Sequence, residues 1–340
     1  MEWNINKTLV VGPAWVGDMV MAQALYKALL SNSTSAQIHV VAPEWSRPLL
    51  QRMPQISVVH SLDVEHGEFG LAKRRRLGRQ LRSEVFSQAI VLPRSYKSAL
   101  VPWFARIPKR IGDVGEFRYG LITNTFESNK DKSIPNVCNY LRYIGIESDV
   151  KLVKKQYFPE LNTDEDNQAK VLEKNAISND APLIACMVGA EYGPSKQWPV
   201  EHFSSLVKLL KKQGVNVCLL GSAKDVGVGK QIEQLSGESV FNLCGKTSLL
   251  DVIDILAICR VAVSNDSGLM HIAAAVDTPV IAMYGATTPV YTPPLHAEAK
   301  VFYVKLECSP CWQRSCQYDH YRCLKDIMPV DVLDAVIKRL

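Results

Sequence analysis

The residues best placed to do chemistry fall in three short loops, each between a predicted strand and a predicted helix. The first loop, residues 12–18, reads Gly-Pro-Ala-Trp-Val-Gly-Asp and ends on the carboxylate of Asp18. It matches neither the dinucleotide fingerprint G-x-G-x-x-G nor a phosphate loop ending in Gly-Lys-Ser/Thr, which disfavours a nicotinamide dehydrogenase or a nucleoside triphosphatase. Taken alone, Asp18 is typical of a helix N-cap or of a first-turn acid that complements the helix dipole.

The second loop, residues 189–199, contains a lysine. Lys196 follows two glycines and precedes Trp-Pro, a composition that indicates a shaped loop. Backbone N–H groups of such a loop can hold phosphate oxygens, and the lysine can add a positive charge. A lone loop lysine is usually just solvated, but these neighbours indicate a shaped loop rather than a disordered one, in which Lys196 could add its charge to a pyrophosphate.

The third segment, residues 264–271, reads Ser-Asn-Asp-Ser-Gly-Leu-Met-His and directly follows a predicted strand. Asp266 or Ser267 alone could be a helix cap, and His271 alone could be a buried core histidine. Together they crowd one turn at a helix N-terminus, where N–H donors and a partial positive charge face outward. The segment therefore predicts binding of a diphosphate leaving group.

These loops need a scaffold, and strand and helix patterns alternate through both halves of the 340-residue chain. A polar stretch at residues 159–182 separates the halves and predicts domains 1–158 and 159–340, with a last helix at about 329–340 that can pack back on the first domain. Open parallel sheets bind ligands beyond the carboxyl ends of their strands. The expected fold is therefore α/β, with two Rossmann-like, doubly wound domains facing a central cleft.

The composition is that of a folded protein of enzyme size, with 47% hydrophobic residues, 21% charged residues and a net charge of +5. The N-terminus lacks the basic flank and long apolar segment of a signal peptide, and no apolar run reaches the roughly 18 residues of a membrane span. We therefore expect a cytoplasmic protein with reduced thiols. Five of the nine cysteines stand among apolar residues and are predicted to fill the core: Cys138, Cys186, Cys218, Cys244 and Cys259.

A basic segment lies within a long helix predicted from about Phe69 to Val85. Its six basic residues have no acidic residue among them: Lys73, Arg74, Arg75, Arg76, Arg79 and Arg82. Such a run is often only a solvated helix face. As a cluster it also fits an anionic acceptor or an anionic membrane surface, where each charge contributes roughly 1 kcal/mol. Nucleic acid is a poorer fit, because no aromatic residues are interleaved along the helix.

The C-terminal region contains a cluster of four cysteines, Cys308, Cys311, Cys316 and Cys323, with His320 among them. Four soft ligands close in sequence can form a tetrahedral structural zinc site, in which His320 could replace one thiol. The spacing is not that of a common zinc ribbon or iron–sulfur motif. Reduced, packed thiols and a structural metal both remain open, and a catalytic role is disfavoured.

Four separated segments, in order along the chain, resemble the ADP-heptose:lipopolysaccharide heptosyltransferases, glycosyltransferase family 9. They are Pro-Ala-Trp-Val-Gly-Asp-Met at 13–19, Ser-Lys-Gln-Trp-Pro at 195–199, Gly-Ser-Ala-Lys-Asp at 221–225 and Asn-Asp-Ser-Gly-Leu-Met-His at 265–271. The resemblance implies a GT-B fold and an inverting transfer of L-glycero-D-manno-heptose from ADP-heptose to the first heptose of the lipopolysaccharide inner core. It implies no required cofactor and no catalytic metal.

Carried over residue by residue, the resemblance implies that Asp18 is the general base and that Lys196 is a catalytic lysine on the donor phosphates. It places Asp225 near the ribose and Thr247 near the adenine. The expected donor-binding residues are Ala190, Glu191, Lys196, Asp225, Thr247, Asp266, Ser267, Gly268 and His271. The expected acceptor-binding residues are Arg74, Arg75, Arg76, Arg94 and Lys97. Peripheral contact with the cytoplasmic face of the inner membrane is expected as well.

Two alternatives stay open. A related enzyme with a different acceptor, such as the Kdo residue, another sugar or a protein, would keep ADP-heptose as its donor. A nucleotide-sugar epimerase can also use two Rossmann-like domains, but it has no use for an acceptor. The two classes therefore differ in whether release of ADP requires an added acceptor.

Overall fold

The computed structural model describes residues 7–65, 67–127, 131–146, 153–178 and 180–340. The chain divides into two units, Met1–Pro159 and Glu160–Leu340. The signal-peptide argument rests in part on residues 1–6, which lie outside the described residues. Among the helices in the described ranges, none combines the length and the apolar character needed to cross a membrane.

The first unit is built on a parallel six-stranded sheet with the order β3-β2-β1-β4-β5-β6. The strands are β1 (Lys7–Val11), β2 (Gln37–Pro43), β3 (Val58–Leu62), β4 (Gln88–Val91), β5 (Lys109–Asp113) and β6 (Asn124–Phe126). The strand order reverses between β1 and β4, and ligands of doubly wound sheets bind at this switch point. The loop that ends in Asp18 follows β1, and the loop that contains Arg94 and Lys97 follows β4.

Helices cover both faces of this sheet, as parallel strands made of continuous apolar residues require. They are α1 (Val16–Asn32), α2 (Arg47–Gln51), α3 (Leu71–Gln80), α4 (Leu100–Phe104) and α5 (Asn136–Leu141). Most of α1 is buried between Met19 and Leu29, so its first turn is held rigidly. A Cβ at Gly78 of α3 would lie 2.5 Å from Phe104 Cβ, so this glycine permits the close packing of α3 on α4.

The long basic helix predicted from about Phe69 to Val85 begins close to its expected start, at Leu71, but ends earlier than predicted. In the structure α3 ends at Gln80 and a 3-10 turn follows at Leu81–Glu84. Val85 then adopts a left-handed backbone conformation with φ of 51°, which a β-branched residue adopts rarely and which cannot continue a helix. The basic residues therefore span two elements.

The second unit repeats the same architecture, with a parallel sheet in the order β12-β11-β10-β7-β8-β9. The strands are β7 (Leu183–Met187), β8 (Asn216–Leu220), β9 (Phe241–Asn242), β10 (Val261–Asn265), β11 (Val280–Tyr284) and β12 (Lys300–Tyr303). Its switch point lies between β7 and β10. The Lys196 loop follows β7 and the Asp266 turn follows β10, so both predicted phosphate-binding loops leave the sheet at the position where ligands bind.

The helices of the second unit are α6 (Glu165–Lys174), α7 (Val200–Lys212), α8 (Val226–Ser236), α9 (Leu249–Ile258), α10 (Gly268–Ala275), α11 (Arg322–Lys325) and α12 (Pro329–Ile337). The last helix packs on α7, and its Val332 and Val336 join a core that includes Trp198 and Phe203. The expectation that it also packs on the first unit stays a prediction. The five cysteines predicted to be core residues are all buried.

Candidate active site

Asp18 lies in the first turn of α1, where its negative charge complements the positive end of the helix dipole. It is not the N-cap, because that position belongs to Trp15, which is extended with φ of −108° and ψ of 141°. The Asp18 side chain is half-buried. The structure therefore supports the first-turn interpretation of this residue over the capping one.

Two residues from a distant segment contact the Asp18 carboxylate. Asn136 Nδ2 donates to Asp18 Oδ1 at 3.0 Å, and Tyr140 Oη lies 3.5 Å from the same oxygen. Asn136 Nδ2 is also 3.1 Å from Tyr140 Oη, because the two residues are one turn apart on α5. Sequence reasoning missed both residues. Their i, i+4 spacing is visible, but nothing local in the sequence relates α5 to the first turn of α1.

Two arginines pair with one buried carboxylate: Arg94 from the loop after β4, and Arg142, which follows α5. Asp113, at the end of β5, is fully buried; Arg94 Nε lies 2.9 Å from its Oδ2, and Arg142 Nη2 donates to its Oδ1. Tyr143 Oη donates to the same Oδ1 at 2.8 Å. Burial, followed by the charge of Asp113, raises the pKa of Tyr143. Asp113 therefore holds Arg94 in place at the edge of the sheet.

Arg118 fixes the backbone of this loop. It is buried, and its guanidinium donates to the carbonyl oxygens of Asp113 at 2.9 Å and of Pro93 at 2.6 Å. Lys97, another predicted acceptor residue, instead donates from Nζ to the carbonyl oxygen of Glu68 at 3.0 Å. Among the predicted acceptor residues, Arg94 and Lys97 thus lie on one loop at the switch point of the sheet.

The predicted role of Arg74 in acceptor binding needs correction. Its side chain is only 5% exposed, and its Nε donates to the carbonyl oxygen of Phe69 at 2.7 Å. Arg75 and Arg76 on the same helix are exposed. Successive helical residues point about 100° apart, so a run of three arginines cannot all face one surface.

In the second unit, Lys196 and Asp266 form an ion pair of 2.5 Å between Nζ and Oδ2. Both side chains are largely buried, at 13% and 5% exposure. Thr287 Oγ1 donates to the same carboxylate oxygen, and Thr292 Oγ1 lies 3.4 Å from Oδ1. The two threonines were not predicted, because they come from the segment after β11.

His271 lies one turn into α10 and is 4% exposed. Burial lowers the pKa of His271 to about 4; the charge of Asp266 acts in the opposite direction, and the charge of Lys196 adds to the lowering. The imidazole is therefore neutral at pH 7. His271 is therefore a buried histidine, which was one of the two interpretations of the sequence. It also lies close enough to Lys196 and Asp266 for both charges to affect its pKa.

The first turn of α10 keeps its N–H groups available. Ser267 is the N-cap residue, with an extended backbone, but its side chain makes no capping hydrogen bond. Its hydroxyl instead lies 3.4 Å from Ser264 Oγ. The N-terminal N–H groups of a helix form a site for an anion when no side chain caps them. Gly268, the first residue of α10, adds no side chain that would block that approach.

Asn265 joins the loop that contains Lys196 to the turn that contains Asp266. Its Oδ1 accepts from the backbone N–H of Trp198 at 2.9 Å, and its Nδ2 donates to the carbonyl oxygen of Val188 at 2.9 Å. Asn265 is completely buried. These bonds fix both ends of the loop that contains Lys196, so the position of the lysine depends on the turn after β10.

The remaining predicted donor residues lie beside this centre. Asp225 accepts from Ser222 in a capping box, and a Cβ at Gly189 would collide with its carboxylate, which places Asp225 next to the Lys196 loop. Glu191 is 53% exposed and pairs with Lys224. Within the described part of the chain, no hydrogen bond joins Asp225, Glu191 or Thr247 to Asp266.

Two further predicted positions complete the donor side. Ala190 is buried. The Thr247 hydroxyl lies between β9 and α9, is shielded from solvent and has no hydrogen-bond partner among the described residues. An unpaired buried hydroxyl is unfavourable by about 1–3 kcal/mol unless a ligand or water satisfies it.

Comparison with known proteins identifies similar proteins over the whole chain. The model of Glycosyltransferase family 9 (heptosyltransferase) matches residues 74–322. Lipopolysaccharide heptosyltransferase 2 of Salmonella typhimurium is 39% identical over 339 residues, which cover 96% of this chain and 97% of the relative. The solved structure of E. coli ADP-heptose lps heptosyltransferase II matches with a TM-score of 0.85 and 36% identity, covering 98% of both chains. Similarity to Escherichia coli lipopolysaccharide heptosyltransferase 1, at 33% identity, covers only 33% of this chain.

Proposed function

Since the chain belongs to glycosyltransferase family 9 (heptosyltransferase) and is a glycosyltransferase of GT-B fold, we propose that it transfers heptose from ADP-heptose to the lipopolysaccharide inner core. The acceptor in this proposal is the first heptose of the core, as in the heptosyltransferases 2 that it resembles over nearly its whole length. The transfer inverts the configuration at the anomeric carbon. The observation that carries the proposal is the placement of the Asp18 carboxylate at one switch point and, at the other, of the Lys196 ammonium beside a helix N-terminus that no side chain caps.

The second unit binds the donor in this proposal. The N–H groups at the start of α10 and the Lys196 ammonium are suited to the diphosphate, because both stabilise negative charge in a partly buried site. A diphosphate and the Asp266 carboxylate would repel each other. We therefore assign Asp266 to holding Lys196 and to accepting hydrogen bonds from the donor, while the helix terminus and the lysine take the leaving ADP.

The first unit binds the acceptor, and Asp18 is its general base. The carboxylate takes the proton of the attacking hydroxyl as that oxygen bonds to the anomeric carbon and the bond to ADP breaks. Asn136 orients the carboxylate through its 3.0 Å hydrogen bond. A base of this kind contributes roughly 10²–10⁴-fold, so correct positioning of the two substrates must supply much of the remaining rate enhancement.

Arg94 and Lys97 are the cationic residues that we assign to the anionic acceptor. Arg94 is 40% exposed although Asp113 holds its guanidinium, so it can present donors to a carboxylate or phosphate without being mobile. Arg75 and Arg76 offer further positive charge on the exposed face of α3. Arg74 is omitted from this assignment because it is buried.

The same unit has a surface suited to an anionic membrane. Arg75, Arg79 and Arg82 are exposed near Arg106, and partial desolvation together with the charges of these neighbours lowers the pKa of Arg82. Trp103 on the adjoining α4 is 45% exposed. Basic and aromatic side chains together favour peripheral binding to anionic lipid at the cytoplasmic face of the inner membrane. Sedimentation with vesicles containing anionic lipid, but not with neutral vesicles, tests this contact.

The test of the proposed reaction is transfer from ADP-heptose to purified acceptors that carry either no heptose or one heptose. We expect ADP release to require an acceptor and to be faster with the acceptor that carries one heptose. A preference for the acceptor without heptose would instead assign transfer to Kdo. Conversion of the nucleotide sugar without any acceptor would favour an epimerase.

A further inference from the structure

The four clustered cysteines of the C-terminal region line one small cavity in the second unit. Cys308, Cys311, Cys316 and Cys323 surround a space of about 20 Å³, together with His320. A cavity of roughly 10–15 Å³ is enough for one water molecule, so this space has the size of a single small ion. Residues far apart along the loop therefore converge on one point.

We infer that this cavity is the site of one thiophilic metal ion with the four cysteine sulfurs as ligands. Four thiolates select zinc or iron in tetrahedral geometry over magnesium or calcium, which prefer oxygen. His320 Nε2 lies 3.9 Å from Cys308 Sγ, so the imidazole is placed to hydrogen-bond a ligating sulfur. Tetrahedral coordination by four thiolates suits both zinc and iron. Elemental analysis distinguishes the two metals.

The four cysteines line the cavity, but their side chains are not placed as ligands of one ion. Among the described residues, no three His, Cys, Asp or Glu side chains have the spacing of ligands to one ion. Metal–sulfur bonds are about 2.3 Å long, so binding requires the thiols to rotate inward. Each cysteine can do so about χ1, and the three loop cysteines lie on irregular backbone that can follow.

The cysteine loop also supports the Lys196 loop directly. The backbone N–H of Ser195 donates to the carbonyl oxygen of Arg314 at 3.1 Å, and Tyr192 Oη donates to that of Trp312 at 2.6 Å. Lys196 Nζ in turn lies 4.9 Å from the centre of the Tyr192 ring. A Cβ at Gly193 would lie 2.6 Å from the Arg314 carbonyl oxygen, so the two loops are packed as closely as glycine allows.

The opposite side of the cysteine loop contacts the segment that carries Thr287. Trp312 N–H donates to the carbonyl oxygen of Ala286 at 2.8 Å, and Ser309 Oγ donates to that of Gly285 at 2.6 Å. An ion that fixes the cysteine loop would therefore fix both the lysine and a threonine that contact Asp266. This consequence rests on the proposed donor site, whereas the metal site itself does not.

The experiment is elemental analysis of the full chain purified under reducing conditions without a metal-affinity step. We expect about one zinc or iron per chain, lost in Cys311→Ser and in Cys316→Ser but retained in Cys259→Ser, a buried cysteine outside the cluster. Exchange of cobalt into the unaltered protein should give thiolate-to-cobalt charge-transfer absorption, which reports sulfur ligands. This measurement needs no variant, so it tests the site even if the cysteine variants fail to fold.

The metal site is overturned if the purified protein holds no metal and the chelator-treated protein takes up neither zinc nor cobalt. Retention of the metal in both cluster variants would overturn it too. If the site is correct, Cys311→Ser should raise KM for ADP-heptose several-fold with a smaller effect on kcat. An unchanged KM in a metal-free variant would overturn the coupling to Lys196. The amount of metal per chain is measured without any reaction. It would therefore still test the metal site if the proposed heptose transfer were not observed.

Discussion

Asn136 Nδ2 donates to Asp18 Oδ1 at 3.0 Å and so links the first turn of α5 to the first turn of α1. The two residues are 118 positions apart. A first-turn acid that only complemented the helix dipole would need no such partner. The bond is expected if the direction of the carboxylate matters for the reaction.

Replacing Asn136 should therefore slow the reaction without weakening donor binding. For Asn136→Ala we expect kcat to fall about 10-fold, corresponding to the roughly 1–1.5 kcal/mol of one hydrogen bond, with KM for ADP-heptose unchanged. Steady-state kinetics measure both constants. Cys138→Ala on the same helix is the matched control, and its kcat should stay near that of the unaltered protein. A fall in kcat of equal size in both variants would indicate a general effect on α5.

Lys196 should act mainly on the donor. Lys196→Met should remove the proposed charge-assisted contact to the diphosphate, worth about 1.5–3 kcal/mol, so kcat/KM for ADP-heptose should fall about 10- to 100-fold. Lys196→Arg should recover part of the loss because it keeps the charge. Lys212→Met, at the exposed end of α7, is the control. Equal losses in Lys196→Met and Lys212→Met would argue against a role in holding the leaving group.

His271 should make stability depend on pH. Because its pKa is lowered to about 4 in the folded protein, protons bind the unfolded chain more readily between about pH 6.5 and pH 4. Stability is then fully present above pH 6.5 and falls as the pH drops through this range. The loss is about 2 kcal/mol between pH 8 and pH 5. Urea unfolding of the protein and of His271→Gln at several pH values isolates this contribution, which should disappear in the variant.

Asp113 should be important for stability. Asp113→Asn leaves Arg94 and Arg142 beside a neutral group, and we expect the free energy of unfolding to fall by about 2–3 kcal/mol. This loss lies at or below the low end of the roughly 3–5 kcal/mol for breaking a buried pair, because both arginines are partly exposed. Asp326→Asn removes a surface i, i+4 pair with Arg322 and should cost about 0.5 kcal/mol or less. Similar values for the two variants in urea unfolding would contradict the role of Asp113.

The sequence predicts the parts of this protein that depend on local pattern. The apolar strands, the loops after β1, β7 and β10, and the polar boundary near residue 159 are all visible as runs or motifs. The observed strand orders place the loops after β1, β7 and β10 at the two switch points. This agrees with the doubly wound arrangement expected from strand–helix alternation with right-handed crossovers. The division of labour between the two units stays a prediction.

The sequence does not reveal which residues form hydrogen bonds with the site residues. Thr287, Thr292 and Asn136 come from segments far from the residues that they contact, and no local signal marks them. For Arg74 the sequence predicted a contact that its burial argues against. A run of like charges does not show which of its residues faces the core. Val85 ends the 3-10 turn that follows the basic helix, through a left-handed backbone conformation that a β-branched residue rarely adopts, so its residue type gave no signal of this end.

The proposed reaction depends most on Asp18 as the base that activates the acceptor hydroxyl. Asp18→Asn keeps the size of the side chain and its contact with Asn136, but it removes the proton acceptor. Heptose transfer should be measured with ADP-heptose and the acceptor carrying one heptose, together with the affinity for ADP-heptose. We expect kcat to fall about 10²–10⁴-fold with donor affinity unchanged; full activity in Asp18→Asn with unchanged donor affinity would rule out Asp18 as the base.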